Sequence, residues 1–209
     1  LIPEAGRRSV ALAAVVSAVL AAVVYLPALS YPLIYDDVKV VGEDPRLEDP
    51  SFALTVWVQQ WWRRGATVPI SRPLTSFTFW AQVQLHGRDA MPIRAVNLAL
   101  YAGLCGLAAA LAAGWLGRSS AAWVVGPLFA VHPLHVEVIA SVVGRAEILS
   151  LLLMVAGMLL WLRWRTAMTW PRAAAIGLTI LAAGLAKEQG YLLAPILAIG
   201  PLPGVVALT

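Results

Sequence analysis

Long uncharged runs alternate with short polar segments along this chain, and the first of them, Ser9 to Tyr35, follows directly on Arg7 and Arg8. About 20 residues of helix cross a hydrocarbon layer of ~30 Å, so this run predicts a first transmembrane helix. A cleaved signal peptide is the competing reading, but its apolar region would be only about 7 to 15 residues before a small-residue cleavage site. An uncleaved anchor fits the length better. Further apolar runs extend from Ala95 to Leu116, Ser119 to Val131, Ile148 to Leu162, Ala173 to Ala186 and Tyr191 to Thr209. The pattern predicts an all-α polytopic membrane protein with six spans, a single transmembrane domain over residues 1–209.

The polar stretch between the first two runs carries its own periodicity. Ser51 to Gly65 holds Phe52, Leu54, Trp57, Val58, Trp61 and Trp62, followed by Arg63 and Arg64, which predicts an amphipathic helix on the membrane surface. Ser71-Arg72-Pro73 can cap and start a second helix, with Leu74, Phe77, Trp80 and Ala81 as its apolar stripe. Such a stripe serves packing at least as readily as it forms the floor of a lipid-facing cleft.

Composition agrees with a membrane protein: 60% of residues are hydrophobic, 12% are charged and the mean hydropathy is +0.79. The single cysteine, Cys105, permits no internal disulfide. The chain begins at Leu1 and stops at Thr209 inside an apolar run, as a processed or truncated part of a longer protein would.

Short cytoplasmic loops retain arginine and lysine. With a cytoplasmic N-terminus, the order of helices puts Arg7, Arg8, Arg118, Arg163, Arg165 and Arg172 on that side, opposed only by Glu4. Trp115, Trp123, Trp161, Trp164 and Trp170 flank these arginines, where amphipathic indoles prefer to sit. Residues 36–94 then lie outside with seven acidic and seven basic residues. The net charge of +4 thus arises from the cytoplasmic arginines and is no sign of nucleic-acid binding.

Two runs are too short to span. Ile148 to Leu162 and Ala173 to Ala186 hold 15 and 14 residues, and at ~1.5 Å per residue each covers only about 21 to 23 Å. The missing length has to include Arg145 and Glu147 on one helix, and Lys187 and Glu188 on the other. Ionisable groups at that depth are costly and usually face a protein interior or a wet cavity, which makes them functional candidates; structural ion pairs between helices are the alternative. His132, His135 and Glu137 close the third run on the same outer side, and Asp36 and Asp37 follow the first. Four separate segments therefore bring polar groups to one membrane face. A solvated acidic loop is the plain reading of an isolated Asp-Asp pair, and the convergence is what argues for more. His-x-x-His beside a carboxylate also suits a divalent metal, but Pro133 inside the spacing breaks helical geometry and no second tight cluster accompanies it.

Tyr35-Asp36-Asp37, Ser71-Arg72-Pro73-Leu74-Thr75, His86-Gly87 with Asn97-Leu98, His132-Pro133-Leu134-His135-Val136-Glu137, Val143-Gly144-Arg145-Ala146-Glu147-Ile148-Leu149 and Lys187-Glu188-Gln189-Gly190 occur in an order that resembles the TMTC family, the transmembrane, TPR-containing O-mannosyltransferases of the GT-C superfamily. The resemblance covers roughly Tyr35 to Gly190. It implies a GT-C-like fold and transfer of a sugar, mannose above all, from a polyprenyl phosphate to a protein or glycan hydroxyl on the non-cytoplasmic face. It also implies that an acidic residue of the first external loop serves catalysis, a position matched here by Asp36 and Asp37. Further spans and the C-terminal TPR helices of the family are absent from these 209 residues.

That chemistry matches the residues on the outer face. A carboxylate takes the proton of the attacking hydroxyl, and Asp36 and Asp37 are the candidates for it. A leaving lipid phosphate needs fixed cations, for which Arg145 and Lys187 are the candidates. Glu137, Glu147 and Glu188 would orient those cations or bind sugar hydroxyls, and His132 and His135 would either hydrogen-bond phosphate or acceptor or, equally, cap the end of the third helix. No metal site is assigned, although a divalent cation between the two aspartates stays open. The alternative is a non-catalytic membrane subunit of a larger assembly, in which the Asp36-Asp37 pair points into a closed protein contact. Charges clustered at one face, with none at the midplane, speak against a transporter. An integral protein of a bacterial inner membrane is the expected location, or the endoplasmic reticulum in a eukaryote.

Overall fold

The computed structural model describes residues 4–62 and 70–199, and among these there are helices and turns but no strand. Helix α1 (Glu4–Tyr25) runs into a 3-10 turn, Leu26–Ser30, that has Pro27 in its first positions. A proline there gives up only an N–H that the first turn leaves unpaired anyway. The polar segment that follows contains α2 (Phe52–Thr55) and α3 (Pro73–His86). Helix α4 (Ala90–Leu116) is capped by Asp89, whose side chain accepts from the Met91 amide, and it ends at Gly117 in the left-handed region, φ 67°. Then come α5 (Ser120–Ala130), α6 (His135–Ala140), α7 (Arg145–Trp164), α8 (Trp170–Ala186) and α9 (Leu193–Ile199).

Three stretches are long and apolar enough to cross a bilayer, residues 6–30, 90–116 and 145–164, and α5 and α8 are shorter apolar helices. Five of the six expected runs therefore form helices. Of the sixth only α9 falls within the described residues; its continuation from residue 200 lies outside them.

Helix α7 takes Arg145 and Glu147 into its first turn, as the short-run argument required. Helix α8 does not extend through Lys187 and Glu188. It stops at Ala186, Lys187 is extended (φ −156°, ψ 140°), and the length is gained at the other end instead, from Trp170. The cause is a reversal built on glycines. A side chain on Gly190 would strike the Ala183 carbonyl, and one on Gly184 would strike the Tyr191 ring, so their absence lets residues 188–192 fold back onto the last turn of α8.

Helix α4 packs against α1, α5 and α7, and α7 packs against α8. Where α1, α4 and α5 meet, Ala13, Ala109, Ala113 and Ala122 are fully buried, and Gly126 leaves its space to Ser17 and Ala109. Small residues let helix backbones approach closely where lipid offers no hydrophobic drive to associate. The alternating helix directions bring the end of α1, the start of α4, the end of α5, the start of α7 and the end of α8 to one end of the bundle. Tyr25 Oη donates to the His132 carbonyl there at 3.0 Å, and Arg94 Nε donates to the Tyr31 carbonyl at 3.0 Å.

Over that end the segment between α1 and α4 folds into a second apolar core, with Val41, Leu47, Phe52, Val56, Trp61, Phe79, Ile93 and Val142 almost fully buried. The expected surface helix from Ser51 to Gly65 is replaced by α2 and one 3-10 turn, Val56–Val58; Arg63 to Gly65 lie outside the described residues. Phe52 and Trp61 both enter the core, at 3% exposure each, and nine positions correspond to about two and a half helical turns. A continuous helix would point them in opposite directions. The chain leaves the helix instead, and the Trp61 amide donates to the Ile70 carbonyl at 2.7 Å.

Helix α3 starts at Pro73 as expected, but Ser71 does not cap it; its hydroxyl donates to the Gln59 carbonyl at 3.1 Å. The expected stripe of Leu74, Phe77, Trp80 and Ala81 is only half-buried. The inward face is Thr75, Phe79 and Val83, while Phe77 stacks loosely with Trp57 and Trp80 at 5.9 and 5.5 Å on the outer side.

Candidate functional site

The two adjacent aspartates have different surroundings. Tyr35 takes a left-handed backbone, φ 48°, unique among the described non-glycine residues, and the turn sends the two following side chains apart. Asp37 is fully buried: Oδ1 accepts from Ser141 Oγ at 2.9 Å and the Val143 amide at 3.0 Å, and Oδ2 accepts from Arg94 Nη2 at 3.3 Å. Asp36 is exposed and has no ion-pair partner among the described residues.

Asp36 faces a cavity of about 550 Å³ between the α1–α4 segment and the bundle end. Ile34, Tyr35 and Asp36 form one wall, residues 137–147 contribute Glu137, Ser141, Gly144 and Glu147 to the opposite one, and Trp61 and Arg72 complete the lining. Arg72 lies with its guanidinium 5.3 Å from the centre of the Trp61 ring and holds Glu188 through two bonds, Nη2 to Oε1 at 2.9 Å and Nε to Oε2 at 3.2 Å. The hydrogen bond from Arg72 pulls the Glu188 carboxyl below its ordinary pKa. Lys187 is ion-paired with Glu147, so the adjacent residues Lys187 and Glu188 tie the end of α8 to α7 and to the start of α3.

Arg145 does not reach this cavity. It is fully buried, with Nε donating to Asn97 Oδ1 at 2.6 Å, Nη2 to the Ile93 carbonyl at 2.9 Å and Nη1 to Thr78 Oγ1 at 3.3 Å, and it lies 4.3 Å from the centre of the Phe79 ring. It knits α3, α4 and α7 together. Gly144, just before it, is buried against the Val138 carbonyl, which a side chain there would strike.

The histidines also divide. His132 is exposed in the turn after α5, whereas His135 opens α6 with Nδ1 2.7 Å from Tyr101 Oη and 3.0 Å from the Phe129 carbonyl oxygen. Burial pushes the His135 pKa below its ordinary value. Neither histidine lines the cavity around Asp36. Among the described residues, no group of three or more His, Cys, Asp or Glu is arranged to hold a metal ion.

Of the residues singled out from the sequence, Asp36, Glu137 and Glu147 line one cavity, and Lys187 and Glu188 reach its edge through ion pairs. Arg72, Trp61 and Arg94 also belong to this site, although the pattern of charges alone does not single them out. Arg72 stands in the Ser71-Arg72-Pro73 motif, whose local signal is that of a helix start. Arg94 offered a plainer signal, a charge in the second turn of a helix that is otherwise apolar for most of 27 residues.

No family model matches the chain, and no solved structure matches it. Curated relatives do. Protein O-mannosyl-transferase F38B6.6 of Caenorhabditis elegans is 28% identical over 184 residues, 82% of this chain and 25% of that protein. Human Protein O-mannosyl-transferase TMTC2 is 28% identical over 188 residues, 86% of this chain and 22% of that protein. Human Protein O-mannosyl-transferase TMTC3 is 28% identical over 173 residues, 79% of this chain and 19% of that protein. The chain spans about a quarter or less of the length of these relatives. Over most of its own length it is TMTC-like, in keeping with the order of its motifs.

Proposed function

We propose that this chain is the membrane portion of an O-mannosyltransferase that takes its sugar from a polyprenyl phosphate and delivers it to a hydroxyl acceptor on the non-cytoplasmic face. The N-terminus is then cytoplasmic, α5 and α8 span the membrane beside the three longer helices, and the arrangement is GT-C-like. The observation that carries the reading is Asp36, an exposed carboxylate without an ion-pair partner among the described residues, in a cavity also lined by Trp61, Arg72 and further carboxylates. Aromatic rings and carboxylates suit the apolar faces and hydroxyl groups of a sugar, and Arg72 suits a phosphate.

In this reaction the acceptor oxygen attacks the anomeric carbon and its proton passes to Asp36. The bond between that carbon and the phosphate oxygen breaks, and its electron pair leaves with the lipid phosphate. Arg72, together with Lys187, stabilises the charge that develops there; Glu188 and Glu147 hold the two cations until the phosphate arrives. A structural subunit would bury both aspartates in a closed contact. Only Asp37 is buried so, which favours the enzymatic reading.

The test is transfer of radiolabelled mannose from polyprenyl-phosphate mannose by the purified chain in detergent, beside Asp36→Asn. Loss of a general base is expected to slow transfer by about 10²- to 10⁴-fold while the protein stays folded. Full activity in Asp36→Asn, or no transfer by the parent from a competent donor, would overturn the proposal.

A further inference from the structure

Both walls of the cavity are bonded to a single buried ion pair. Arg94 projects from the second turn of α4 at 1% side-chain exposure and Asp37 is at 0%. The Arg94 guanidinium donates to the carbonyls of Tyr31 at 3.0 Å and Pro32 at 2.7 Å, which precede the wall carrying Asp36, and to the Ala140 carbonyl on the opposite wall. Asp37 continues that wall-to-wall connection through Ser141 Oγ and the Val143 amide. Ala140, Ser141 and Val143 all line the cavity. Between the two anchors the chain makes the left-handed turn at Tyr35, a conformation costly enough for a non-glycine residue that the surroundings have to impose it.

We infer that Arg94 and Asp37 are positioning residues: the pair fixes the spacing of the two cavity walls and, through the Tyr35 turn, aims the Asp36 carboxylate. This rests on the reading of Asp36 as the base. Of the two adjacent aspartates, one does chemistry and the other holds its neighbour in place. The pair is buried with its hydrogen-bonding groups matched to fixed backbone partners, so removing one member leaves the other uncompensated in the interior.

The test uses a nitroxide at Tyr35→Cys in a Cys105→Ala background, because Tyr35 is 86% exposed and a label there reports the backbone turn and not side-chain packing. Spectra are compared for the otherwise unsubstituted protein, Asp37→Asn, Arg94→Gln and Asp36→Asn, and mannosyl transfer is measured in the same variants with Tyr35 retained. The expected result is a more mobile label in Asp37→Asn and Arg94→Gln but not in Asp36→Asn. Transfer should fall on the order of 100-fold in the first two, the penalty of a reacting group misplaced by about 1 Å, with the pH dependence of the residual rate unchanged. If Asp37→Asn does not fold, Ser141→Ala removes one of the three anchors and is expected to loosen the label partially. A label equally immobile in all variants overturns the inference, as does a transfer-dead Asp37→Asn with an immobile label, because Asp37 would then act in the chemistry itself. An active Asp36→Asn beside a loosened Asp37→Asn would refute the base and leave the positioning pair standing.

Discussion

Arg72 and Glu188, 116 positions apart, meet through two hydrogen bonds of 2.9 and 3.2 Å at the edge of the cavity. The pair connects the start of α3 to the turn after α8 and links the segment between α1 and α4 to the bundle.

The pH dependence of that contact has a definite sign. The Glu188 carboxyl lies below its ordinary value of 4.5, so the contribution of the pair is fully present above that value and is lost as the pH falls through the lowered one. The Glu188 side chain is 55% exposed, and solvent screening limits the effect to about 0.5 kcal/mol. Glu188→Gln is expected to melt slightly below the parent at pH 7 and together with it in strong acid. It should also lower the KM for an anionic donor, because Arg72 loses its competing carboxylate. A raised KM would show that the pair positions Arg72 instead of masking it.

Arg145 is expected to behave as an interior strut. Lysine lacks the fork that reaches Asn97, Ile93 and Thr78 at once, so Arg145→Lys should destabilise the fold by about 1.5 to 3 kcal/mol. Thermal unfolding measures the loss, and the KM for donor in the folded fraction should stay within about twofold, since a twofold change is well under 1 kcal/mol. A large rise in KM with an unchanged melting temperature would instead return Arg145 to the phosphate site.

Gly144→Ala places a methyl group against the Val138 carbonyl, where only backbone movement can relieve the clash. The expected cost is about 1 to 3 kcal/mol. Since Gly144 is part of the cavity wall, transfer should drop along with the melting temperature. An unchanged melting temperature would mean that the wall gives way freely.

His135 gives a second pH effect, also with a definite sign. Its pKa is lowered from 6.5 by burial, so the unfolded chain binds the proton more readily and stability declines as the pH drops below 6.5. In His135→Phe, which keeps a ring against Phe129, the decline between pH 6.5 and the lowered value should flatten. Parallel curves for parent and variant would place the titration elsewhere.

Hydropathy along the chain was enough to determine the class of protein, the positions of five helices and the end of the bundle where polar groups gather. These are properties of length and alternation: an apolar run needs burial in lipid, and antiparallel neighbours bring every second polar junction to the same side. The charges, by contrast, were legible as a group and not one by one. Asp36 and Asp37 are equivalent in the sequence, and a left-handed turn at Tyr35 together with the arginine at position 94 makes one exposed and the other buried. Arg145 and Arg72 look alike as cations beside short motifs, yet Asn97 and Phe79 draw one into the core while Trp61 and Glu188 hold the other at the cavity. The fate of the surface helix depended on Trp61 entering a core shared with Phe79 and Val142, residues distant from it in sequence. Only the tertiary structure could decide these, because the burial of an ionisable or aromatic side chain depends on which partners, many residues away, are present to satisfy it.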